Sequence, residues 1–195
     1  MIAAVVRHAK VDMKWSFLQT SEGYDRECER YDAAPVLPVT VRLPAADFQR
    51  FYVSRLPRTA ATARQAVGDR KLTATALINE VPERSGFDTG LKVPHFLQAG
   101  VSRAQWLFCS RRQPETRAET RRRAEKFVEH LIRKNEDCVV FTHGFFMITL
   151  LQVMKERGFN VDHTRLAYAN GECVVCERKG AAGDRTAGIG SPENG

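Results

Sequence analysis

The sequence predicts an α/β fold in three layers, an α/β/α sandwich with a mainly parallel central sheet and an antiparallel edge. Short apolar runs typical of buried strands alternate along the chain with longer segments of helical periodicity. Charged side chains directly follow several of these runs, where a mainly parallel sheet would place its ligand crevice. Near the carboxyl end, Asn170-Gly171 is a hairpin signal that predicts the antiparallel edge.

One domain is predicted over residues 1–179. The chain has 195 residues, enough for one full core, with 43% hydrophobic and 27% charged residues, and its formal charge of +7 is compatible with an anionic ligand. The last stretch, 180–195, holds five glycines and almost no apolar side chain. Such a segment cannot bury enough apolar surface to offset its ordering entropy, so a disordered tail is predicted there.

The amino-terminal half is predicted to begin with a buried strand at 2–6. The stretch 10–43, which contains prolines and aromatics, is predicted to be a loop with one short helix near 22–31. A helix is expected from Pro57 to Gly68, because proline suits the first turn of a helix. The other elements predicted here are a helical turn at 45–50 and strands at 51–54 and 73–78.

The carboxyl-terminal half is predicted to open with an insertion at 81–100, where prolines and glycines interrupt any clear period. A short helix capped by Ser102 is expected to run through Phe108. The longest helix is predicted at 114–135, where apolar residues from Ala118 to Ile132 recur at helical spacing. The remaining predicted elements are a strand at 138–142, a helix at 144–157 and strand-like segments at 166–168 and 172–177.

Ionisable side chains follow four of the predicted strands. They are Arg7-His8 after the first, Arg58 beyond the second, Glu80 after the third and His143 after the fourth. A cationic pair at the end of a buried strand costs desolvation unless an anionic or hydrogen-bonding group meets it. Because the carboxyl ends of parallel strands meet at one edge of a sheet, these residues predict one site that binds and transfers a phosphoryl group.

The residues around these positions resemble the motifs of the histidine phosphatase superfamily, which includes the cofactor-dependent phosphoglycerate mutases. The resemblance spans roughly residues 2–178 and keeps the order of the family's motifs. The segments that carry it are Val5-Val6-Arg7-His8, Ser54-Arg55-Leu56-Pro57-Arg58-Thr59-Ala60-Ala61-Thr62-Ala63, Leu77-Ile78-Asn79-Glu80 and Val140-Phe141-Thr142-His143-Gly144. The fold this resemblance implies is the three-layer, phosphoglycerate mutase-like sandwich.

The resemblance implies a role for each of five side chains. His8 would attack phosphorus and become a phosphohistidine, which splits one displacement into two easier steps. Its other ring nitrogen should then donate to a fixed acceptor such as a backbone carbonyl. Arg7, Arg58 and His143 would bind the phosphoryl oxygens. Glu80 would protonate the departing oxygen and later deprotonate the attacking water.

Several positions around the site stay open. Glu83 competes with Glu80 for the role of the acid, although Glu80 lies closer to the predicted strand end. Lys14, Trp15 and Arg26 are candidates to reach the site, with packing or surface positions as the alternative. The pattern of the long loop that contains them departs from the family, so the substrate is not determined.

Three further positions bear on the match to the family. Ala9 stands where the family usually has glycine, and its methyl group could crowd the approach to phosphate. Ser54 and Thr62 are expected to cap a helix, with phosphate contact as the alternative.

No metal, cofactor, nucleic acid or membrane is expected as a partner. Cationic side chains supply the charge in the proposed chemistry, and no apolar run approaches the ~20 residues of a membrane span. The arginines of the longest helix lack interleaved aromatics, which favours a solvated face over a nucleic-acid stripe. Five cysteines without a regular framework, including Cys173 and Cys176 expected on opposite faces of a strand, favour a reducing compartment and a cytoplasmic protein.

The predicted function is a metal-independent phosphomonoesterase that acts on a small phosphorylated metabolite. A mutase is an alternative, in which His8 would return the phosphoryl group to a retained substrate. A protein phosphatase specific for phosphohistidine and a catalytically silent module that binds phosphorylated ligands are further alternatives. The complete set of charged residues argues against a silent module, and the oligomeric state stays open.

Overall fold

A computed structural model describes residues 1–179 of the chain, so the predicted tail at 180–195 lies outside the described residues. The strands are β1 (Ile2–Arg7), β2 (Leu18–Gln19), β3 (Arg50–Val53), β4 (Leu72–Ala74), β5 (Val93–Pro94), β6 (Cys138–Thr142), β7 (Asn160–Val161) and β8 (Cys173–Glu177). The helices are α1 (Ser21–Ala33), α2 (Pro57–Val67), α3 (His95–Leu107), α4 (Arg117–Lys134) and α5 (Gly144–Glu156), with a 3₁₀ turn, η1, at Ala76–Ile78.

The central sheet has six strands in the order β4-β3-β6-β1-β8-β7. The pairs β4–β3, β3–β6 and β6–β1 are parallel, whereas β1–β8 and β8–β7 are antiparallel. Strands β2 and β5 form a separate two-stranded antiparallel sheet. The prediction of a mainly parallel sheet with an antiparallel edge is confirmed, and the first strand lies in the interior of the sheet.

The core lies in two layers, one on each face of the sheet. Ala3 and Val5 of β1 face a large cluster with the buried sides of α4 and α5, and Ala4 and Val6 face a smaller one with α2. This division follows from the alternation of side chains along a strand. Helices on both faces complete the predicted three-layer sandwich. Cys173 packs against the smaller cluster and Cys176 lies in the larger, so the two thiols point to opposite faces as expected.

Two predicted elements of the amino-terminal half are wrong. No helical turn forms at 45–50, because the amides of Gln49 and Arg50 donate to the carbonyl of Asp137 instead of to a helix of their own. The third strand ends at Ala74 rather than 78, and η1 replaces its last residues. Thr75 accepts a hydrogen bond from the Leu77 amide, and such local side-chain bonds compete with strand pairing.

The carboxyl-terminal half also departs from prediction at two places. Helix α3 begins at His95, and Ser102 lies buried inside it, where its hydroxyl donates to the side chain of Gln113. The segment 166–168 is not a strand, because the Tyr168 carbonyl accepts from Arg7 instead of pairing with a neighbouring strand. Strand β8 pairs with β1 and β7.

Helix α4 follows the predicted amphipathic pattern except at its start. Thr116 and Glu119 form a capping box at its beginning. Ala118 is exposed, and the buried Thr120 takes its place in the stripe that faces the core. Two arginines of its polar face pair with acids, Arg121 with Glu125 and Arg123 with Glu115.

Among residues 1–179, no helix has both the length and the apolar character needed to cross a bilayer.

Candidate active site

The end of β1 is held from both sides, which fixes the direction of the Arg7-His8 pair. The His8 amide donates to the carbonyl of Thr142, 2.9 Å away at the end of β6. On the other side, the Arg7 carbonyl accepts from the Gly171 amide at 3.0 Å, and the Asn170 side chain donates to the His8 carbonyl at 2.9 Å. The turn predicted at Asn170-Gly171 therefore secures the backbone of the two residues.

The hydrogen bonds of His8 leave one ring nitrogen for chemistry. Its Nδ1 lies 2.6 Å from the carbonyl oxygen of Ala9, so Nδ1 carries the proton and donates. No hydrogen bond to Nε2 is found within residues 1–179, and in the neutral ring that nitrogen holds the lone pair. Burial, followed by the positive charges of Arg58 and Arg7, lowers the pKa of His8 to about 3. The ring is consequently neutral near pH 7, as a nucleophile must be.

Arg58 and His143 form a buried pair beside His8. Arg58 Nε donates to His143 Nδ1 at 3.1 Å, and His143 Nε2 lies 2.8 Å from the hydroxyl of Ser54. The rings of His8 and His143 meet edge to face with centroids 5.1 Å apart. Burial lowers the pKa of His143 well below its usual value, and the nearby cation of Arg58 lowers it further.

Both ring nitrogens of His143 are thus already in use. The structure places His143 behind Arg58, where it orients the guanidinium group. Direct contact between His143 and a phosphoryl oxygen stays a prediction, since it requires the ring to give up one of these two hydrogen bonds.

Arg7 packs against the beginning of α5. Its Nη1 donates to the carbonyl of Tyr168. A Cβ atom on Gly144 would lie 2.7 Å from Arg7 Nε, closer than such atoms approach in real structures. Only glycine at the start of α5 therefore lets the Arg7 side chain cross this helix end, which gives a physical reason for the His143-Gly144 sequence.

The two candidate acids occupy different surroundings. The Glu80 carboxylate sits at the amino end of α5, where its Oε1 accepts from the Phe146 amide at 2.8 Å. Glu83 lies three residues further on, and its carboxylate accepts from the hydroxyl of Tyr24 at 2.5 Å and pairs with Arg103 at 2.6 Å. Glu80 therefore lies at the same helix end as Arg7, whereas the Glu83 carboxylate is held by Tyr24 and Arg103.

These residues border a cavity of about 880 Å³. Arg7, Arg58 and Glu80 line it, together with Glu83. His8 and His143 do not, since they lie behind the lining at 2% and 0% exposure. A ligand in the cavity would meet the two guanidinium groups before it reached the imidazole of His8.

Sequence reasoning missed Asp32, which pairs with a residue of the site. Its carboxylate lies 2.7 Å from Arg58 Nη1 and is half exposed at the cavity wall. It lies on α1, in a segment for which the sequence offered only a short helix. No motif signalled the contact, because it depends on how α1 packs against α2.

Arg123 was grouped with the solvated arginines of α4, but its side chain is only 19% exposed. Its Nη1 donates to the carbonyls of Leu77 and Asn79, at 2.9 and 3.0 Å, and it also pairs with Glu115. Since Asn79 directly precedes Glu80, Arg123 holds the turn from which the Glu80 side chain emerges.

Of the remaining candidate residues, some line the cavity and others do not. Trp15 lines it, whereas Lys14 and Arg26 do not, and Arg26 pairs with Glu22 on the surface. The Ser54 hydroxyl accepts from the Leu56 amide just before α2, but it does not cap the helix as expected, because no side chain caps the start of α2.

Thr62 does neither of the two things expected of it. It lies inside α2, and its hydroxyl oxygen accepts from the Ala9 amide at 2.8 Å. The Ala9 methyl group is itself fully buried. Together these contacts tie the residue after His8 to α2.

Within 1–179, no group of three or more His, Cys, Asp or Glu side chains is placed to hold a metal ion. All five cysteines are free thiols.

The fold is similar to that of several solved structures. The Bacillus stearothermophilus protein YhfR shares 15% sequence identity with a TM-score of 0.55, and the match covers 92% of each chain. The alpha-ribazole phosphatase of Shigella flexneri shares 14% identity with a TM-score of 0.53, over 90% of this chain and 89% of that one. The mycobacterial glucosyl-3-phosphoglycerate phosphatase Rv2419c shares 14% identity with a TM-score of 0.50, over 80% and 79%.

The sequence itself matches one family. No curated protein matches the chain. The family profile described as Histidine phosphatase superfamily (branch 1) matches residues 38–184, a range that begins after the Arg7-His8 motif. The three later motifs lie inside this range, and the structure brings the first motif to the same site. The chain belongs to the histidine phosphatase superfamily, branch 1.

Proposed function

We propose that the protein is a phosphomonoesterase that works through a phosphohistidine on His8 and needs no metal ion. The observation that carries the proposal is the state of His8, which is neutral, donates through Nδ1 to a fixed carbonyl and lies beside two arginines. Its free Nε2 has the lone pair that an attack on phosphorus requires. The proposal extends the phosphatase chemistry of the family to this chain.

In the first step, His8 Nε2 forms a bond to phosphorus while the bond from phosphorus to the ester oxygen breaks. Arg7 and Arg58 are proposed to bind the phosphoryl oxygens, where their fork-shaped donors suit the charge that develops. The departing oxygen takes a proton from Glu80 and leaves as the alcohol. Because the guanidinium groups supply positive charge at this point, no metal ion is required for it.

In the second step, water attacks the phosphohistidine. Glu80, now a carboxylate, takes a proton from the water as the new oxygen–phosphorus bond forms. The bond between Nε2 and phosphorus breaks, and phosphate leaves with His8 neutral again. His143 supports both steps by orienting Arg58 through its Nδ1.

The substrate is proposed to be a small phosphorylated molecule rather than a phosphoprotein. The cavity of about 880 Å³ has walls on several sides, and His8 lies beneath them. A phosphorylated side chain on a folded protein surface would reach so deep a nucleophile less easily than a free metabolite would. The free thiols at all five cysteines support a reducing compartment, and hence the cytoplasm, as the protein's location.

The proposal is tested by trapping the intermediate. Rapid quench with a ³²P-labelled phosphomonoester should leave label that is stable in base and labile in acid, and His8→Ala should abolish it. Label on Ser54 or a cysteine would overturn the choice of nucleophile. Turnover should be unchanged by a chelator, so activity lost to a chelator and restored by Mg²⁺ or Zn²⁺ would contradict the mechanism.

The same experiment separates a phosphatase from a mutase. A phosphatase transfers the label from His8 to water, which appears as inorganic phosphate. A mutase would instead return the label to a second hydroxyl of the substrate, so the partition of label between phosphate and phosphoester decides between them.

A further inference from the structure

One side of the cavity is built from aromatic rings that pack against one another. The aromatic wall consists of Trp15, Tyr24, Tyr31 and His95, and all four line the cavity. Trp15 lies at its centre, with ring centroids 4.5 Å from His95, 5.4 Å from Tyr31 and 6.0 Å from Tyr24. Trp15 lies in the loop before β2 and the two tyrosines lie on the nearby helix α1, whereas His95 comes from the distant start of α3.

The aromatic wall begins at the phosphate-binding end of the cavity. The guanidinium carbon of Arg58 lies 5.2 Å from the ring centroid of Tyr31, and Tyr31 packs against Trp15. A ligand whose phosphate is bound by Arg58 therefore has the ring of Tyr31 beside it and that of Trp15 one step further out. This continuity connects the aromatic wall to the reactive end.

The two tyrosines of the aromatic wall offer no charge to a ligand. Burial raises the pKa of both tyrosines, so their rings stay neutral, and the hydroxyl of Tyr24 is already bonded to Glu83. Further apolar lining comes from Phe145 and Ile148. The part of the ligand next to the aromatic wall should thus be flat and uncharged, since stacking rings interact best with another ring.

We propose that the substrate is a phosphomonoester whose alcohol carries an uncharged aromatic or heteroaromatic ring, which stacks on Trp15. The inference rests on the proposed function, because it assumes that the phosphoryl group is held by Arg58. It names Trp15 as the residue that determines specificity for the leaving group. Trp15 is half-buried, so part of its ring remains open to the cavity.

The test compares two esters that differ only in the ring. 2-Phenylethyl phosphate and 2-cyclohexylethyl phosphate release alcohols of similar acidity, so the chemical step is matched. The saturated ring is larger and more apolar, so burial of area alone would favour it. We expect kcat/KM to be at least about 5-fold higher for the phenyl ester, from a stacking contribution of the usual size for aromatic pairs.

Three variants assign this preference to the aromatic wall. Trp15→Leu should reduce the preference to about 1 by raising KM for the phenyl ester, whereas Trp15→Phe should keep most of it. Phe17→Leu is the matched control, because Phe17 is a nearby exposed aromatic that does not line the cavity. It should leave the preference unchanged.

Binding of the two corresponding phosphonates, which cannot be hydrolysed, separates this inference from the proposed function. The protein could hydrolyse no ester and still bind 2-phenylethylphosphonate at least about 5-fold more tightly than 2-cyclohexylethylphosphonate, with this preference lost in Trp15→Leu. That result would support the inference about the ring and contradict the proposed enzymatic function. Equal binding of both phosphonates, or tighter binding of glucose 6-phosphate than of 2-phenylethylphosphonate, would overturn the inference even if the protein is a phosphatase.

Discussion

At the scale of single residues, the site depends on histidines that are kept neutral by burial. His8 is 2% exposed and His143 is fully buried, and each stands near Arg58. Both effects disfavour the imidazolium form. The resulting pKa of His8, about 3 against its usual 6.5, ties the chemistry of the site to the stability of the fold.

This shift predicts a pH dependence of stability. Between pH 6.5 and 3 the unfolded chain binds a proton at His8 that the folded chain does not. The contribution of the neutral His8 to the unfolding free energy is therefore fully present above pH 6.5 and is lost as the pH falls toward 3. Replacing His8 with the neutral Gln should reduce the fall in unfolding free energy between pH 6.5 and 5 by up to about 1 kcal/mol per pH unit. Urea unfolding at several pH values measures it. Identical slopes for the two proteins would contradict a neutral His8.

The roles of Glu80 and Glu83 can be distinguished with ester substrates that carry different leaving groups. If Glu80 donates the proton, Glu80→Gln should slow the phosphorylation step for alkyl esters by ~100- to 10,000-fold and that for activated aryl esters much less. An activated phenolate needs little protonation as it leaves. Burst kinetics isolates this step, which matters because the second step also needs Glu80.

The matched control for that experiment is Glu83→Gln, an identical change three residues away on the same cavity wall. Glu83 is tied to Tyr24 and Arg103, so its variant should retain the phosphorylation rate for both kinds of ester. If Glu83→Gln instead shows the dependence on the leaving group, the roles of the two acids are reversed.

At the scale of elements, the Glu80 carboxylate is positioned by a turn rather than by a strand end. Strand β4 stops early, η1 follows, and Glu80 emerges against the beginning of α5. Arg123 of α4 holds the turn through backbone carbonyls, and Thr142 donates to the carbonyl of Ile78 at 2.8 Å. Contacts from α4 and β6 thus decide where the acid lies.

Removing the Arg123 contacts should weaken both stability and acid catalysis. Arg123→Met leaves the half-buried carbonyls of Leu77 and Asn79 without these donors, which should destabilise the fold by roughly 1–3 kcal/mol. The loosened turn should also lower turnover of alkyl esters more than that of aryl esters. Urea denaturation and the ratio of the two rates provide the measurements.

The adjacent and exposed Arg122 is the control for this prediction. Arg122→Met should change stability by no more than about 0.5 kcal/mol and leave the rate ratio unchanged. An Arg123→Met protein with the same rate ratio would show that Arg123 is structural only and does not position Glu80.

At the scale of the whole molecule, the last strand completes the site that the first strand begins. Strand β8 pairs antiparallel with β1, and the turn before it bonds to the backbone of Arg7 and His8. Gly171 in this turn has φ of +77°, and a Cβ there would lie 2.5 Å from the side chain of Val39. Residues separated by most of the chain therefore meet at one point beside His8.

Gly171→Ala should consequently impair both folding and activity. We expect a loss of roughly 2–4 kcal/mol, because alanine is strained at this positive φ and its methyl group would also displace Val39. Gly158→Ala is the control, since Gly158 has φ of +84° with nothing within 4 Å. It should cost about 1–2 kcal/mol and leave activity intact. Equal losses in both variants would contradict a role for the turn in the site.

The sequence by itself determined the class of the fold and the order of its main strands and helices. β6 and α2 lie within one residue of their predicted bounds, because apolar runs and the proline at a helix start are local signals. The Arg7-His8 pair and the His143-Gly144 motif also follow from local sequence, since each lies at a strand end. These local signals were sufficient to identify the family, and the match to the family profile confirms it.

Only the tertiary structure decided how the site is bounded. Three contacts at the site join segments that are far apart in the chain. Arg58 pairs with Asp32, Arg123 donates to the backbone of the turn before Glu80, and the ring of Trp15 packs against that of His95. Local periodicity carries no information about such contacts. They arise from the way α1, α3 and α4 pack around the sheet, and the packing of helices is set by the whole core rather than by any one segment.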